Sequence, residues 1–204
     1  MKEAPPAAPA DDVQSAPPPA PGADRHPALD FADSTAALPG GQRYDALATP
    51  DAARRWLLAR DLISPDVRMY EVCAARSRTL RGHVRALFAA RVEDRMAPAE
   101  SLRAVNEALT RVPAAPLLTW DETDGPRRVQ QHPTDQAVDH ALAALAADAA
   151  DLLTSPDATL LAACGAAPCD RFLLRTHGRR HWCSTRCGDR VRAARAYARR
   201  SGTP

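Results

Sequence analysis

The feature that most constrains this chain is a set of four cysteines near its C-terminal end, arranged as two close pairs. Four residues separate Cys164 from Cys169, three separate Cys183 from Cys187, and thirteen lie between the pairs. Because each close pair can supply half of a tetrahedral thiolate shell, this spacing predicts a Zn²⁺ site. The chain must fold back between the pairs to form it, so this end is predicted to be a small metal-centred module.

A disulfide or redox-active role is the alternative use of these cysteines. No apolar region of a secretion signal follows Met1, and no run of apolar residues is long enough to span a membrane. We therefore expect a cytoplasmic protein that does not bind membranes, and there paired cysteines bind metal more often than they form disulfides. His177 and His181 could replace a cysteine as ligand, although four thiolates already complete a structural site. Cys73 lies in a helical apolar pattern and is interpreted as a core thiol.

The residues around the cysteines predict the secondary structure of this module. Residues 171–174 and 180–182 are short runs with apolar side chains on either side of Gly178, which predicts a hairpin between the pairs. After Cys187 the chain is predicted to be helical, because apolar residues continue at helical spacing. These residues are Val191, Ala194 and Ala198. We expect a treble-clef-like or ribbon-like zinc finger followed by a basic helix.

The distribution of charge predicts the partner of this module. From Cys164 onward the chain carries ten arginines against two aspartates, a net charge of +8, whereas the whole chain carries only +2. A compact basic module is expected to bind a phosphate backbone, and DNA is the leading partner. RNA is an alternative, as is a purely structural or protein-docking module. The predicted nucleic-acid contacts are Arg179, Arg180, Arg186, Arg190, Arg192, Arg195 and Arg199.

The same residues resemble a known family. Residues 164–169 read CGAAPC, residues 179–184 read RRHWCS and residues 187–190 read CGDR. This pattern resembles the CGNR zinc finger, with Asp189 in place of the family's Asn. In that family the finger closes the chain behind a mostly helical domain, the ABATE domain of stress-induced transcription regulators. The resemblance implies a role in transcription, whereas the residues themselves imply only zinc and a polyanion.

The remainder of the chain divides by composition. Residues 1–27 are rich in Pro, Ala and Asp, which predicts a disordered tail. Residues 28–156 are predicted to form the helical ABATE-like domain, and residues 157–204 the finger with its basic helix. The stretch LDFADS resembles the Leu-Asp-apolar-apolar-Asn-Thr opening of the ABATE domain, with Asp33 and Ser34 at its last two positions. We interpret this stretch as a packed first element.

Three Ser/Thr-Pro-Asp sequences are candidate helix starts, since each offers an N-cap hydroxyl, a proline and an acidic first turn. Those at residues 49–51 and 64–66 predict helices that begin at their prolines, the second running to about Arg95. The third, at residues 155–157, could equally precede a strand that leads into the first cysteine pair. Two further helices are predicted from apolar stripes, one through Leu102, Val105 and Leu109, the other through Val138, Leu142, Leu145, Ala149 and Leu152.

One segment of the helical domain has a different pattern. Residues 117–120 and 128–131 flank the acidic sequence at 121–126, which predicts a β-hairpin. The predicted fold class is thus mainly α with a β-hairpin, a helical domain plus the small C-terminal finger. Because no Gly-rich phosphate loop, nucleophile elbow or His-Glu-x-x-His sequence is present, we expect no enzymatic activity. The helical domain could instead bind an unknown effector, and the sequence specifies no oligomeric state.

Overall fold

Helices and short antiparallel strand pairs make up the computed structural model, which describes residues 16–112, 117–129, 136–176, 178 and 180–202. The helices are α1 (Pro27–Ala32), α2 (Pro50–Leu58), α3 (Glu71–Val92), α4 (Ala99–Thr110), α5 (Ala137–Thr154) and α6 (Thr185–Arg200). The strands are β1 (Thr35–Ala37), β2 (Arg43–Asp45), β3 (Leu117–Asp121), β4 (Gly125–Val129), β5 (Leu161–Ala163) and β6 (Phe172–Leu174). The mainly α fold class is therefore confirmed. Within these residues, no helix has the length and apolarity needed to cross a membrane.

The core of the helical domain lies where α3, α4 and α5 pack together with α1. The apolar stripe predicted on α5 is buried along its whole length, with Leu145 and Leu152 fully inaccessible. Helix α1 contributes Leu29 and Phe31, which are also fully buried. Cys73 lies at the edge of this core and is half-buried. The LDFADS stretch is thus a packed first element.

One of the two predicted helix starts differs from the structure, and the third sequence, for which a strand was the alternative, precedes a strand. Helix α2 begins at Pro50, and the Thr49 hydroxyl caps it by accepting from the backbone N–H of Ala52 at 3.2 Å. The second sequence instead forms a turn, in which the Ser64 carbonyl accepts from the Val67 amide, and α3 begins only at Glu71. A proline after a hydroxyl residue favours a turn as well as a helix start. The third sequence opens a short 3₁₀ turn before β5, so the strand alternative is confirmed.

The predicted β-hairpin of the helical domain is confirmed as β3 and β4, which pair in register from Leu117 opposite Val129 to Asp121 opposite Gly125. Its turn is tighter than predicted, because an Asp121 carboxylate oxygen accepts from the Thr123 amide at 2.8 Å. The predicted second strand extends to residues 130 and 131, which lie outside the described residues. Strands β1 and β2 form a second pair that the sequence did not predict.

The predicted hairpin between the cysteine pairs is wrong. Strand β6 pairs with β5, which precedes the first cysteine, with Leu161 opposite Leu174. The amide of Cys164 donates to the Arg171 carbonyl at 2.8 Å and continues this ladder towards the turn. On the edge of β6 that faces away from β5, the Leu174 amide donates to the Pro21 carbonyl and the Phe172 amide donates to Asp33. Residues 180–182 therefore find no free edge of β6 and form no strand. The first cysteine pair therefore lies in the turn of the β5–β6 hairpin.

The β5–β6 hairpin has two buried faces. Phe172 and Leu174 belong to the apolar core of the helical domain, whereas Leu173 between them packs with the cysteines. This follows from the alternation of side chains along a strand. One strand thus contributes side chains to both cores, and the two parts pack against each other through it. The division between residues 156 and 157 stays a prediction.

The end of the predicted N-terminal tail is ordered. Ala20 is buried beside the cysteines, and the Pro21 carbonyl accepts from the Leu174 amide at 2.8 Å. Gly22 has a φ of +94°, and a Cβ at this position would lie 2.5 Å from Cγ of Leu174. Only glycine fits such a close approach at positive φ. The predicted disorder is therefore wrong for residues 20–27, while residues 1–15 lie outside the described part of the chain.

Candidate metal centre

Two structural elements bring the four cysteines together. Cys164 and Cys169 lie in the turn of the β5–β6 hairpin. Cys183 precedes α6, and Cys187 lies in its first turn. The hydroxyl of Ser184 caps this helix by accepting from the Cys187 amide at 3.2 Å. Because two ligands come from a hairpin turn and two from a helix start, the arrangement matches the treble-clef-like alternative.

The spacing of the sulfur atoms fits a zinc ion. All four Sγ atoms lie within 4.8 Å of one another, and the Sγ of Cys183 is 3.7 Å from those of Cys169 and Cys187. A Zn–S bond of about 2.3 Å implies about 3.8 Å between sulfurs in a tetrahedron. His181 is exposed and lies outside this cluster, and His177 falls outside the described residues. The histidine alternative therefore has no support in the described part of the chain.

The thiols of this cluster perturb one another. Hydrogen bonds from Cys169 and Cys183 lower the pKa of Cys164 to about 2. The contact with Cys164 in turn raises the pKa of Cys169 to about 12, and contacts with Cys164 and Cys169 raise the pKa of Cys183. These contacts bring four thiols close enough to share one divalent cation, which would take the place of their protons. This donor set is the one that a structural zinc site requires.

Nitrogen donors surround the sulfurs. The backbone amide of Cys183 donates to the Sγ of Cys164 at 3.4 Å. Arg190 donates through Nη2 to the Ala166 carbonyl at 2.7 Å and to the Sγ of Cys187 at 3.7 Å. Such donors stabilise thiolate charge and orient the ligands. The Arg190 guanidinium is thus bound to the hairpin turn, and its contact with nucleic acid stays a prediction.

The second and third letters of CGDR have separate structural roles. A Cβ on Gly188 would lie 3.1 Å from Cε3 of Trp182, so the absence of a side chain lets the indole pack on the helix. Asp189 is exposed and forms an ion pair with Arg192. The negative charge at this family position therefore partly neutralises one of the arginines that was predicted to contact nucleic acid.

Most of α6 is exposed to solvent and does not pack against the rest of the protein. Val191 packs against the cysteine cluster, but Ala194 and Ala198, predicted on the same apolar stripe, are exposed. Three predicted contact residues are exposed and form no ion pair within the described residues: Arg186, Arg195 and Arg199. Arg180 is half-buried, and Arg179 lies outside the described residues.

Sequence reasoning missed the residues that fasten the finger to the helical domain. Asp33, at the end of α1, accepts from the Phe172 amide at 2.8 Å and from Nε of Arg171 at 3.2 Å. Burial raises the pKa of Asp33 to about 7, whereas Arg171 and the Phe172 amide lower it. Asp170 accepts from the Ala37 amide at 2.7 Å. An arginine directly before an apolar strand and an acidic residue in LDFADS were the available signals.

Comparison with known families agrees with this geometry. The ABATE family, described as "Putative stress-induced transcription regulator", matches residues 25–156, and the CGNR zinc finger matches residues 161–200. A comparison with curated proteins gave no match. The finger match and the four clustered cysteines together identify the metal as Zn²⁺. Since the first match covers well over half of the chain, this protein belongs to the ABATE family and ends in a CGNR zinc finger.

Proposed function

We propose that this protein is a cytoplasmic, non-enzymatic transcription regulator that binds DNA through α6 when zinc is bound. The observation that carries this proposal is the exposed arginine flank of α6, which begins directly after the metal centre. Zinc fixes the two cysteines at the start of the helix and so fixes the direction in which the helix leaves the finger. The arginines beyond the second turn are then held away from the body of the protein.

The spacing of these arginines suits a phosphate backbone. Arg192, Arg195 and Arg199 follow one another at helical steps of three and four, so they lie along one flank. At 1.5 Å per residue this row is about 10 Å long, or roughly three base-pair steps of 3.4 Å. Arg195 and Arg199 carry the proposed contact, since Arg192 must first exchange Asp189 for a phosphate.

The first test is the salt dependence of DNA binding by the full-length zinc protein. If a variant neutralises two fewer phosphates than the wild-type protein, the magnitude of its slope of log K against log salt falls by up to roughly 2. We therefore expect Arg195→Ala with Arg199→Ala to weaken binding to duplex DNA and to reduce this slope in fluorescence anisotropy titrations. The matched control is Arg55→Ala with Arg68→Ala, two exposed arginines of the helical domain. Equal slopes for both double variants would contradict a specific role for α6.

The same assay distinguishes the alternative partners. If duplex RNA of equal length competes better than DNA at matched salt, α6 is an RNA-binding element. If the wild-type protein binds neither polyanion, the finger is a purely structural or protein-docking module. One observation favours a partly structural role for the basic charge: Arg171 and Arg190 are already bound within the protein. The salt slope of the wild-type protein therefore reports how much of the charge remains for a partner.

A further inference from the structure

A buried series of polar contacts joins a zinc ligand to the end of α1. Arg171 lies between the two, donating through Nε to a carboxylate oxygen of Asp33 at 3.2 Å and through Nη1 to the Sγ of Cys183 at 3.8 Å. We propose that Arg171 is a positioning residue that couples zinc occupancy to the packing of the helical domain through Asp33. This inference depends on zinc binding and is independent of any nucleic-acid partner.

Burial determines how strongly these contacts affect stability. Arg171 is 3 % exposed and Asp33 is 4 % exposed, so water cannot replace either partner. A buried guanidinium is strongly destabilising unless several acceptors compensate its charge. The carboxylate supplies one acceptor and the sulfur of Cys183 supplies the other. Because this sulfur is also a zinc ligand, the guanidinium joins the metal site to Asp33 by direct contacts on both sides.

The Asp33 end of this series reaches the helical core. Asp33 directly follows α1, whose Leu29 and Phe31 are fully buried. Its other carboxylate oxygen accepts from the Phe172 amide at 2.8 Å, next to Arg171 in sequence. A rotation of the Arg171 guanidinium would therefore disturb both the end of α1 and the first residue of β6.

Helix α3 reinforces the same junction. Arg85 donates through Nη1 to the Ala32 carbonyl and through Nη2 to the Asp170 carbonyl, each at 2.7 Å. Its guanidinium also lies 5.3 Å from the centre of the Phe172 ring. The Arg85 side chain thus bridges the end of α1 and the residue that precedes Arg171, and it fixes their relative position. The helical domain forms part of the outer shell of the zinc site.

Linkage makes the coupling reciprocal. If the Arg171 contacts favour the zinc-bound state, zinc must stabilise those contacts by the same factor. A variant that breaks the series should then bind zinc more weakly, and zinc should raise its unfolding temperature by a smaller amount. A merely structural residue would lower the unfolding temperature equally with and without zinc. Measuring zinc affinity and unfolding temperature together separates the two cases.

The experiment uses the full-length chain with three substitutions at the two partner residues. Zinc affinity is measured by competition with a chromogenic chelator, and unfolding is followed by circular dichroism with and without zinc. We expect Arg171→Met to lower zinc affinity by roughly 10- to 100-fold, the range typical of outer-shell partners. Asp33→Asn keeps an acceptor for the Phe172 amide but loses the charge, so its loss should be about 5-fold or more. Arg171→Lys should not restore affinity, since a single ammonium lacks the fork needed to span both partners.

The control is another buried arginine of the helical domain. Arg81 is 6 % exposed and pairs with both carboxylate oxygens of Asp45, at 2.6 and 2.8 Å. Arg81→Met should lower the unfolding temperature equally with and without zinc and leave zinc affinity unchanged. Wild-type zinc affinity in Arg171→Met would overturn the proposal, as would a wild-type zinc-induced temperature shift in Asp33→Asn. If Arg171→Met does not fold, Arg171→Lys and Asp33→Asn decide the question by the same two measurements.

Discussion

The two parts of this protein are held together by different means. The helical domain buries a continuous apolar cluster that includes Phe31, Phe88 and Leu145. The cluster of the finger consists of its cysteines and a few mostly small side chains, with Leu173 the largest of those fully buried. About 40 residues bury too little apolar surface for independent folding. The comparison indicates that the metal ion takes over, in the finger, the role that apolar side chains have in the helical domain.

The two parts nevertheless share one strand. Phe172 and Leu174 of β6 pack into the helical core, and Phe172 meets the Phe88 ring edge-on at 5.8 Å between ring centres. Leu173 packs with the cysteines. An ion bound in the finger would therefore also help to fix β6, which forms part of the helical core. The difference between the parts can be tested by removing the metal, by truncating each face of β6, and by changing matched glycines and helix caps.

The largest effect is expected from loss of a zinc ligand. Cys183→Ser removes a thiolate from a site whose apparent zinc-binding energy is on the order of 10 kcal/mol. We expect loss of stoichiometric zinc in elemental analysis and loss of the α6 signal in circular dichroism. Because β6 spans both parts, the unfolding temperature of the helical domain should also fall. Cys73→Ser is the control and should retain zinc, as its thiol lies at the edge of the helical core. Full zinc content in Cys183→Ser would refute the site.

Truncating neighbouring leucines should separate the two cores. Leu173 and Leu174 are both fully buried but face opposite sides of the hairpin, so each substitution by alanine should cost about 2 to 5 kcal/mol. Leu174→Ala should lower the free energy of unfolding with and without zinc. Leu173→Ala should lower it mainly in the zinc form, because its cavity lies beside the cysteines. Urea titrations with and without a chelator measure both, and the same zinc dependence for both variants would contradict two separate faces.

The sequence predicted the features that depend on near neighbours. Cysteine spacing located the metal site because ligands a few residues apart must converge, and the Thr49 cap depends only on its own first turn. The features it missed depend on residues far along the chain. The partner of β6 and the pairing of Asp33 with Arg171 are set by packing between the two parts. The hydrogen bond from Arg190 to the Ala166 carbonyl likewise joins residues far apart in the sequence, so the sequence gives no sign of it.

The close approach of Gly22 to Leu174 predicts a smaller effect. Gly22→Ala places a side chain at a φ of +94° and 2.5 Å from Cγ of Leu174. Backbone strain and displacement of Leu174 together should cost about 3 kcal/mol. Gly40→Ala is the matched control, because Gly40 has a φ of +78° but no atom within 4 Å of an added Cβ. Strain alone should then cost about 1 kcal/mol in thermal unfolding. Equal losses would show that Leu174 moves aside freely.

The smallest effect compares the same chemistry in both parts. Thr49 caps α2 and Ser184 caps α6, each accepting from the amide three residues later at 3.2 Å. Replacing either hydroxyl residue by alanine should cost about 1 kcal/mol of stability. Thr49→Ala should show this loss with and without zinc, since apolar packing holds α2 in place. Ser184 lies between two zinc ligands, so Ser184→Ala should lose this stability only while zinc holds the first turn of α6. A loss in Ser184→Ala that persists in chelator would mean that α6 is ordered without the metal, and the finger would then resemble the helical domain in how it is stabilised.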